Sequence, residues 1–507
     1  MKEGLEEQLH KHFGYPSFRP GQLEVIQYVM RGESVLGMLA TGGGKSITYQ
    51  LPAMLLPGIT VVISPLISLM MDQVQQLRAI RRIPATYLNS TLDQRDAREI
   101  LREIERGTYK LLYISPEKLQ QPYIQTVLRR VGVALIAVDE AHCISQWGHD
   151  FRTDYLRLPE VIEKLGKPPV LAVTATATSA VQKEICELLG IKPEHIVQQP
   201  LNRDNIAIER IAVPGESERR LQVLQLMDRL TGPGIVYCST RQAVDVLVAS
   251  YQLEGKRSVH GYHGGMNSME RMMIQAQFLA GELEIIVATN AFGMGIDKSD
   301  IRFVIHYQMP ASLEAYAQEI GRVGRDGKPG YAALFYVWDD VQIHQHMMER
   351  EYPNRQQLQQ FTELLLKGEP FTTEMLASID MTQDMAELLL FYAERVGIPS
   401  RSEAVASMEP DALRDCGDAI MRELEVRKRL KQQKLAEMLD YVQEREVCLR
   451  KRINHYFGDS AAGFTLQCCS SCGLNRRVYE AEEVAWTKES QEKNWDLLQA
   501  LSVLLPK

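Results

Sequence analysis

The chain has 507 residues, with 57 Lys plus Arg against 65 Asp plus Glu and a formal net charge of −8; such a length accommodates about three or four domains with ample buried core. Net acidity excludes a uniformly basic nucleic-acid binder, so any nucleic-acid path has to be a local basic groove. Eight cysteines are too few for a disulfide scaffold of this size.

From the N-terminus, Met1-Lys2-Glu3-Gly4 and Leu5-Glu6-Glu7 lack the apolar core of a signal peptide, which predicts a cytoplasmic protein. Val35 to Leu39 reads as a strand, Ala40-Thr41-Gly42-Gly43-Gly44-Lys45-Ser46 as a Gly-rich loop, and Ile47 to Leu56 as a helix ending at Pro57. Strand, loop and helix in that order cradle phosphate: glycines let backbone N–H groups approach its oxygens, Lys45 reaches the β and γ phosphates, and Ser46 ligates Mg²⁺. The usual pattern has Gly at position 39, where this chain has Leu39. Ser46 to Met71 carries no charged residue, yet Pro52, Pro57, Gly58 and Pro65 are expected to break it, so it is not a membrane span.

Apolar runs at Thr60 to Ile63, Leu111 to Ile114, Leu135 to Val138 and Val170 to Val173 alternate with helical stretches, the pattern of a parallel α/β sheet. Asp139-Glu140-Ala141-His142 closes the third run; Asp139 would hold the Mg²⁺, and Glu140 would orient or deprotonate the attacking water. A polar stretch from Pro200 to Arg220 marks a domain boundary. A second set of runs follows at Gly234 to Tyr237, Ile285 to Ala288, Phe303 to Tyr307 and Ala332 to Val337. Gln318-Glu319-Ile320-Gly321-Arg322-Val323-Gly324-Arg325 offers two arginines suited to charge on a transferring γ-phosphoryl group, so a site split between two domains is predicted.

After Trp338 the pattern turns helical. Leu358, Phe361 and Leu365 share a face, Thr372 and Thr382 are candidate N-caps, Met385, Leu388, Leu389 and Tyr392 repeat at helical spacing, and Gly397 is a candidate C-cap. The module reads either as packed helices or as a helix-turn-helix or winged-helix unit. Leu435, Met438, Leu439 and Val442 form an amphipathic stripe. Cys448, Cys468, Cys469 and Cys472 are four thiols able to close a tetrahedral Zn²⁺ site, although Cys468 and Cys469 are adjacent.

Taken together, the chain resembles the RecQ family of superfamily 2 DNA helicases. Phe13-Gly14-Tyr15-Pro16-Ser17-Phe18-Arg19-Pro20-Gly21-Gln22 resembles the family's adenine-recognition motif, which implies that Tyr15, Arg19 and Gln22 read the base. Ser64 to Val74 resembles motif Ia, and Leu88-Asn89-Ser90 the next DNA-backbone motif, implying contacts from Ser68 and Asn89. Cys143 to Arg152 resembles the aromatic-rich loop, which implies that Trp147, Phe151 and Arg152 report bound DNA to the adjacent carboxylates. Thr174-Ala175-Thr176 resembles motif III and would couple to His142. Tyr237 to Arg241 and Val287 to Lys298 resemble motifs IV and V, putting Thr289 and Asn290 on DNA and Gly295 and Asp297 near the nucleotide. Cys448 to Cys472, with Tyr456-Phe457-Gly458 between, resembles the family's zinc subdomain, which usually spaces its last three cysteines as C-x-x-C-x-x-C.

The fold class implied is α/β: two tandem RecA-like parallel-sheet domains (1–205 and 206–343), a helical module (344–430), a zinc-binding subdomain (431–480) and a helical tail (481–507). Residues 345–430 have no obvious family counterpart, and the 35 residues after Cys472 are too few for both usual accessory domains, which implies a short form. The expected activity is ATP- and Mg²⁺-dependent, Zn²⁺-containing, 3′-to-5′ helicase action on single-stranded and forked DNA in recombination, repair or replication. Lys45, Asp139, Glu140, Arg322 and Arg325 carry the chemistry, and Thr41, Gly42, Gly43, Gly44, Lys45 and Ser46 hold phosphate. Single-strand DNA-binding protein and repair factors are the expected partners, with no membrane, and in a bacterium a nucleoid location. The alternatives are a translocase or RNA helicase that does not unwind DNA, and a nucleotide-gated DNA-binding scaffold with little turnover.

Overall fold

Short runs rich in Val, Ile and Leu, buried on both faces, are what parallel sheets covered by helices require. The computed structural model describes residues 2–40, 42–65, 67–145, 153–293, 296, 298–367, 376, 379–398, 409–459 and 467–481. Among these, β1 (Val35–Met38), β2 (Ile59–Ile63), β3 (Ala85–Leu88), β4 (Leu111–Ile114), β5 (Val133–Val138), β6 (Val170–Thr174) and β7 (Ile196–Gln198) form one sheet, in the order β3-β4-β2-β5-β6-β1-β7. A second sheet contains β8 (Ile206–Ala212), β9 (Gly234–Tyr237), β10 (Val259–Tyr262), β11 (Ile285–Ala288), β12 (Phe303–His306) and β13 (Gly330–Tyr336), ordered β10-β11-β9-β12-β13-β8. Every pairing within them is parallel. Val61, Val62 and Ile63 are fully buried, and each contributes about 1.5 to 3 kcal/mol relative to an exposed position.

One local expectation is corrected. Pro52 does not break the chain but lies inside the helix Ile47–Leu55. Its ring forgoes one amide donor, the helix resumes with Leu56 N–H bonding to the Pro52 carbonyl, and burial against the sheet outweighs the loss. Within the polar stretch after Pro200, β8 starts at Ile206 and pairs with β13 over its full length.

Beyond β13, the helices Arg355–Leu366, Gln383–Arg395 and Pro410–Gln443 share a core of Leu358, Phe361, Leu389, Tyr392, Ile420 and Leu424. The Thr382 hydroxyl caps the middle helix by accepting from the Met385 N–H at 3.2 Å; Thr372 and the Leu365 side chain lie outside the described residues. Pro410 starts the third helix at a position where its missing N–H costs nothing. That helix runs unbroken through position 430, and its last turns leave the helical module: Leu435, Met438, Tyr441 and Val442 pack into the second sheet's core with Tyr316 and Ile453. Lys434 also pairs with Glu314 at 2.5 Å. The cysteine segment lies on the outer edge of the second sheet, where Ile208 N–H bonds to the Cys468 carbonyl at 3.1 Å. None of the described helices is long and apolar enough to cross a membrane.

Candidate active site

In parallel α/β sheets, ligands gather beyond the C-terminal strand ends, and the motif residues lie there. The chain leaves β1 through Leu39, whose N–H extends the sheet by bonding to the Thr174 carbonyl at 3.1 Å. Leu39 is buried against Gly21, where a Cβ would meet it at 2.7 Å. The departure from the usual glycine therefore falls on the packed side, away from the phosphate loop. Gly44 has φ +74, and a Cβ there would come within 2.5 Å of Gln22 Nε2; that close approach lets Gln22 donate to the carbonyls of Gly43 and Gly44, each at 2.9 Å. Gln22 Oε1 accepts from the Arg19 N–H at 2.9 Å, and Arg19 Nη1 donates to the Gly42 carbonyl. Tyr15 is exposed and receives a 3.0 Å hydrogen bond from Arg81 Nη2, whose guanidinium lies 5.1 Å from its ring centroid.

Opposite the loop, β5 ends at Asp139, whose N–H bonds to the Ile63 carbonyl at 2.9 Å. Burial, with the neighbouring Glu140 charge adding to it and Lys45 opposing, pushes the Asp139 carboxyl up to about 6. A cation ligated there would favour the carboxylate. Glu140 takes a left-handed backbone conformation, φ 47, and its Oε1 accepts from Lys45 Nζ at 3.2 Å. His142 is fully buried, with Nδ1 2.9 Å from the Thr174 hydroxyl and 3.4 Å from Glu140 Oε2. Ser46 starts the helix Ile47–Leu55.

From the second sheet come Arg322 and Arg325. Arg322 is buried and donates to the Gly293 carbonyl, while Arg325 Nη1 donates to the Ile296 carbonyl at 2.7 Å. Arg325 also lies against the phosphate loop, where a Cβ on Gly42 would meet its Cγ at 2.9 Å. A cleft of about 520 Å³ is lined from one side by Tyr15, Arg19, Gln22, Gly42, Gly44, Lys45, Ser46, Asp139 and Glu140, and from the other by Gln318, Arg322 and Arg325. A second tie between the sheets is the 2.8 Å bond from Gln275 Nε2 to Asp72 Oδ2. Burial there pushes the Asp72 carboxyl up to about 6 against the opposing pull of the Gln275 hydrogen bond.

The expected DNA positions are placed unevenly. Ser68 falls in the first turn of the helix Ile67–Ala79. Asn89 is buried, its Oδ1 accepting from the Thr91 N–H at 3.0 Å and from the Thr91 hydroxyl at 2.7 Å, so it shapes its own turn. Thr289 is buried and Asn290 exposed. Thr41, Trp147, Phe151, Arg152, Gly295 and Asp297 lie outside the described residues. Sequence reasoning missed Arg81, Arg203, Asn205 and Arg450; the last three contact mostly backbone carbonyls, which leave no pattern in a sequence.

Cys448, Cys468, Cys469 and Cys472 bring their sulfurs within 4.8 Å of one another, with Cys448 and Cys468 at 3.5 Å. Adjacency of Cys468 and Cys469 does not keep either out of the cluster. Four converging thiols fit a structural zinc ion.

Comparison with known proteins agrees with this anatomy. Residues 19–185 match the DEAD/DEAH box helicase family, residues 218–327 the helicase conserved C-terminal domain, and residues 413–473 the RecQ zinc-binding family. The probable ATP-dependent DNA helicase RecS of Bacillus subtilis is 38% identical over 480 residues, covering 94% of this chain and 93% of its own. That alignment is too long to omit residues 345–430, which therefore do have a counterpart. The ATP-dependent DNA helicase RecQ of the same organism is 39% identical over 81% of this chain, which spans 66% of that relative. Among solved structures, Mycobacterium smegmatis helicase Lhr bound to single-stranded DNA and AMP-PNP shares the fold, with TM-score 0.55, 18% identity, and coverage of 86% of this chain and 57% of that one. The helicase match carries ATP with Mg²⁺ as cofactors, and the zinc-binding match with the cysteine cluster carries zinc. With these matches along two parallel-sheet domains and a four-cysteine segment, the chain is a member of the RecQ family of ATP-dependent DNA helicases.

Proposed function

We propose that this chain is a DNA-unwinding motor in which ATP hydrolysis drives 3′-to-5′ movement along single-stranded DNA. The observation that carries the reading is the shared cleft: Gln22, Lys45, Asp139 and Glu140 face Arg322 and Arg325 across it. In this reading Tyr15, Arg19 and Gln22 hold adenine, the Gln22 amide exchanging its bonds to the Gly43 and Gly44 carbonyls and the Arg19 N–H for a donor and an acceptor on the base edge. Lys45 exchanges Glu140 for phosphate, which frees the Glu140 carboxylate to take a proton from the attacking water. Ser46 and Asp139 hold the metal, whose charge when bound supports the transferring phosphoryl group. Arg322 and Arg325 complete the site only when the sheets approach, so nucleotide turnover opens and closes the cleft. Ser68, Asn89, Thr289 and Asn290 lie on or beneath the strand path, and Trp147, Phe151 and Arg152 report its occupancy; stacking on an aromatic is worth about 1 to 3 kcal/mol per base. Thr41, Gly295 and Asp297 complete the nucleotide contacts. Forked DNA in recombination, repair or replication is the proposed substrate, with single-strand DNA-binding protein and repair factors as partners, in the cytoplasm and at the nucleoid of a bacterium.

Strand displacement on 3′-tailed and 5′-tailed duplexes, run beside Lys45→Ala, tests the proposal. Displacement of the 3′-tailed duplex alone, lost in Lys45→Ala, is expected. Displacement by Lys45→Ala equal to that of the native chain would overturn the site assignment. Hydrolysis stimulated by single-stranded DNA with neither duplex opened would leave a translocase, and hydrolysis indifferent to DNA would leave a nucleotide-gated scaffold.

A further inference from the structure

Two arginines outside the cleft, Arg450 buried and Arg203 half-buried, form a continuous path from the cysteine cluster to the arginine loop. Arg450, on the helix Leu449–Tyr456 just after Cys448, is buried. Its Nη1 donates to Asn202 Oδ1 at 2.9 Å and to the Arg203 carbonyl at 2.6 Å. Its Nη2 donates to the Ile206 carbonyl and, at 3.5 Å, to that of Cys468. One guanidinium thus binds a zinc-ligand segment to the chain that joins the two sheets. Arg203, on that joining chain, sends Nη2 to the carbonyls of Val323 and Gly324 at 3.1 and 2.6 Å. Asn205 Nδ2 takes the same Gly324 carbonyl at 2.8 Å and that of Lys328 at 2.8 Å.

The Gly324 carbonyl belongs to the peptide unit that leads into Arg325. Because that unit is planar, gripping its oxygen from two side chains sets the direction in which the Arg325 side chain departs. Gly324 has φ +55, and a Cβ there would strike Asn205 Nδ2 at 2.5 Å, so the turn admits the grip only with glycine. A small cavity of about 40 Å³ at the junction is lined by Ala40, Thr176, Arg203, Ile320, Arg450 and Asn454. Residues next to the phosphate loop and motif III therefore meet this path too. Lysine cannot replace Arg450, whose Nη1 and Nη2 reach acceptors on different segments that a single ammonium does not span.

We infer that Arg203 and Arg450 are positioning residues, a relay that carries the placement of the zinc-bound segment to Arg325 and so sets how well the second sheet senses a γ-phosphate. The relay rests on the proposed role of Arg322 and Arg325 and extends it to residues that touch no nucleotide.

The test compares Arg203→Gln, Arg450→Gln, their double variant and Arg325→Ala as full chains. Four readouts are taken: zinc content, melting temperature, DNA-stimulated hydrolysis, and affinity for AMP-PNP relative to ADP. Arg203→Gln and Arg450→Gln are each expected to lower kcat about tenfold and to erase most of the AMP-PNP preference. ADP affinity should stay within about twofold and zinc be retained. The double variant should be no worse than the weaker single, since the two act in series. Multiplying effects, or a loss that appears only in KM or melting temperature, would overturn the relay. Should Arg450→Gln lose its zinc, Arg203→Gln decides, being expected to show the kcat loss with zinc retained. If Arg325→Ala is impaired while Arg203→Gln is not, the relay fails alone; if Arg325→Ala is itself unimpaired, the reading of the arginine loop fails.

Discussion

Replacing Asp72 by Asn isolates the electrostatics of the contact between the two sheets. In the native chain the Asp72 carboxyl is pushed from 3.8 up to about 6 by burial, and Gln275 Nε2 of the second domain donates to it. A carboxyl raised in this way binds its extra proton between about pH 4 and 6 only while the contact is made. The contact is therefore strongest below about pH 4 and weakens as pH rises through about 6. The full penalty of ionising Asp72 is roughly 3 kcal/mol, and partial solvent access reduces it to about 1 to 2 kcal/mol. Asn keeps an acceptor for Gln275 and removes the charge. At about pH 8, Asp72→Asn should favour the closed arrangement by about 5- to 30-fold, and at about pH 5 by much less. The assay is the inter-sheet distance distribution, from fluorophores on the exposed faces of the two domains, measured in both chains across that range. A pH dependence equally steep in Asp72→Asn would refute the reasoning.

Three further outcomes follow from the site. Lys45→Ala should cut DNA-stimulated hydrolysis by at least about a hundredfold, measured by phosphate release; a loss under twofold would exclude Lys45 from the chemistry. Gly44→Ala puts a Cβ 2.5 Å from Gln22 Nε2 at a φ of +74, and the resulting strain of about 1 to 2 kcal/mol should displace Gln22 and raise the KM for ATP about tenfold, with melting temperature nearly unchanged. Cys472→Ser, or treatment with a chelator, should empty the thiol cluster by metal analysis and lower the melting temperature of the second sheet's core, because the segment is joined to β8 through Ile208.

Most strands were legible because parallel sheets demand unbroken apolar runs: Leu111–Ile114, Gly234–Tyr237 and Ile285–Ala288 have the bounds their runs suggest. Four strands escaped notice: β3 and β10, with four residues each, and β7 and β8. In β8, Glu209 and Arg210 interrupt the apolar residues. Glu209 reaches out to Arg476 at 2.5 Å, and Arg210 bonds to the Tyr441 carbonyl at 3.1 Å, so the charge in this strand makes tertiary contacts. β7 has only three residues, too few for any period. At the site, the Gly-rich loop and the Asp139-Glu140 pair, which line one cleft, stood out because their residue types and spacing form a local pattern. Arg203 and Arg450 did not, since the carbonyls they grip belong to any residue and only folding brings them together.

The outer edge of β8 has one more consequence. Its outward groups are taken in turn by the cysteine segment and its helix: Ile208 N–H by the Cys468 carbonyl, Arg210 N–H by the Ser470 hydroxyl at 3.3 Å, and the Ile206 carbonyl by Arg450. A sheet edge so occupied offers no template to another chain. Were the thiol cluster to let go, this edge of the second sheet would be open to pairing with another strand.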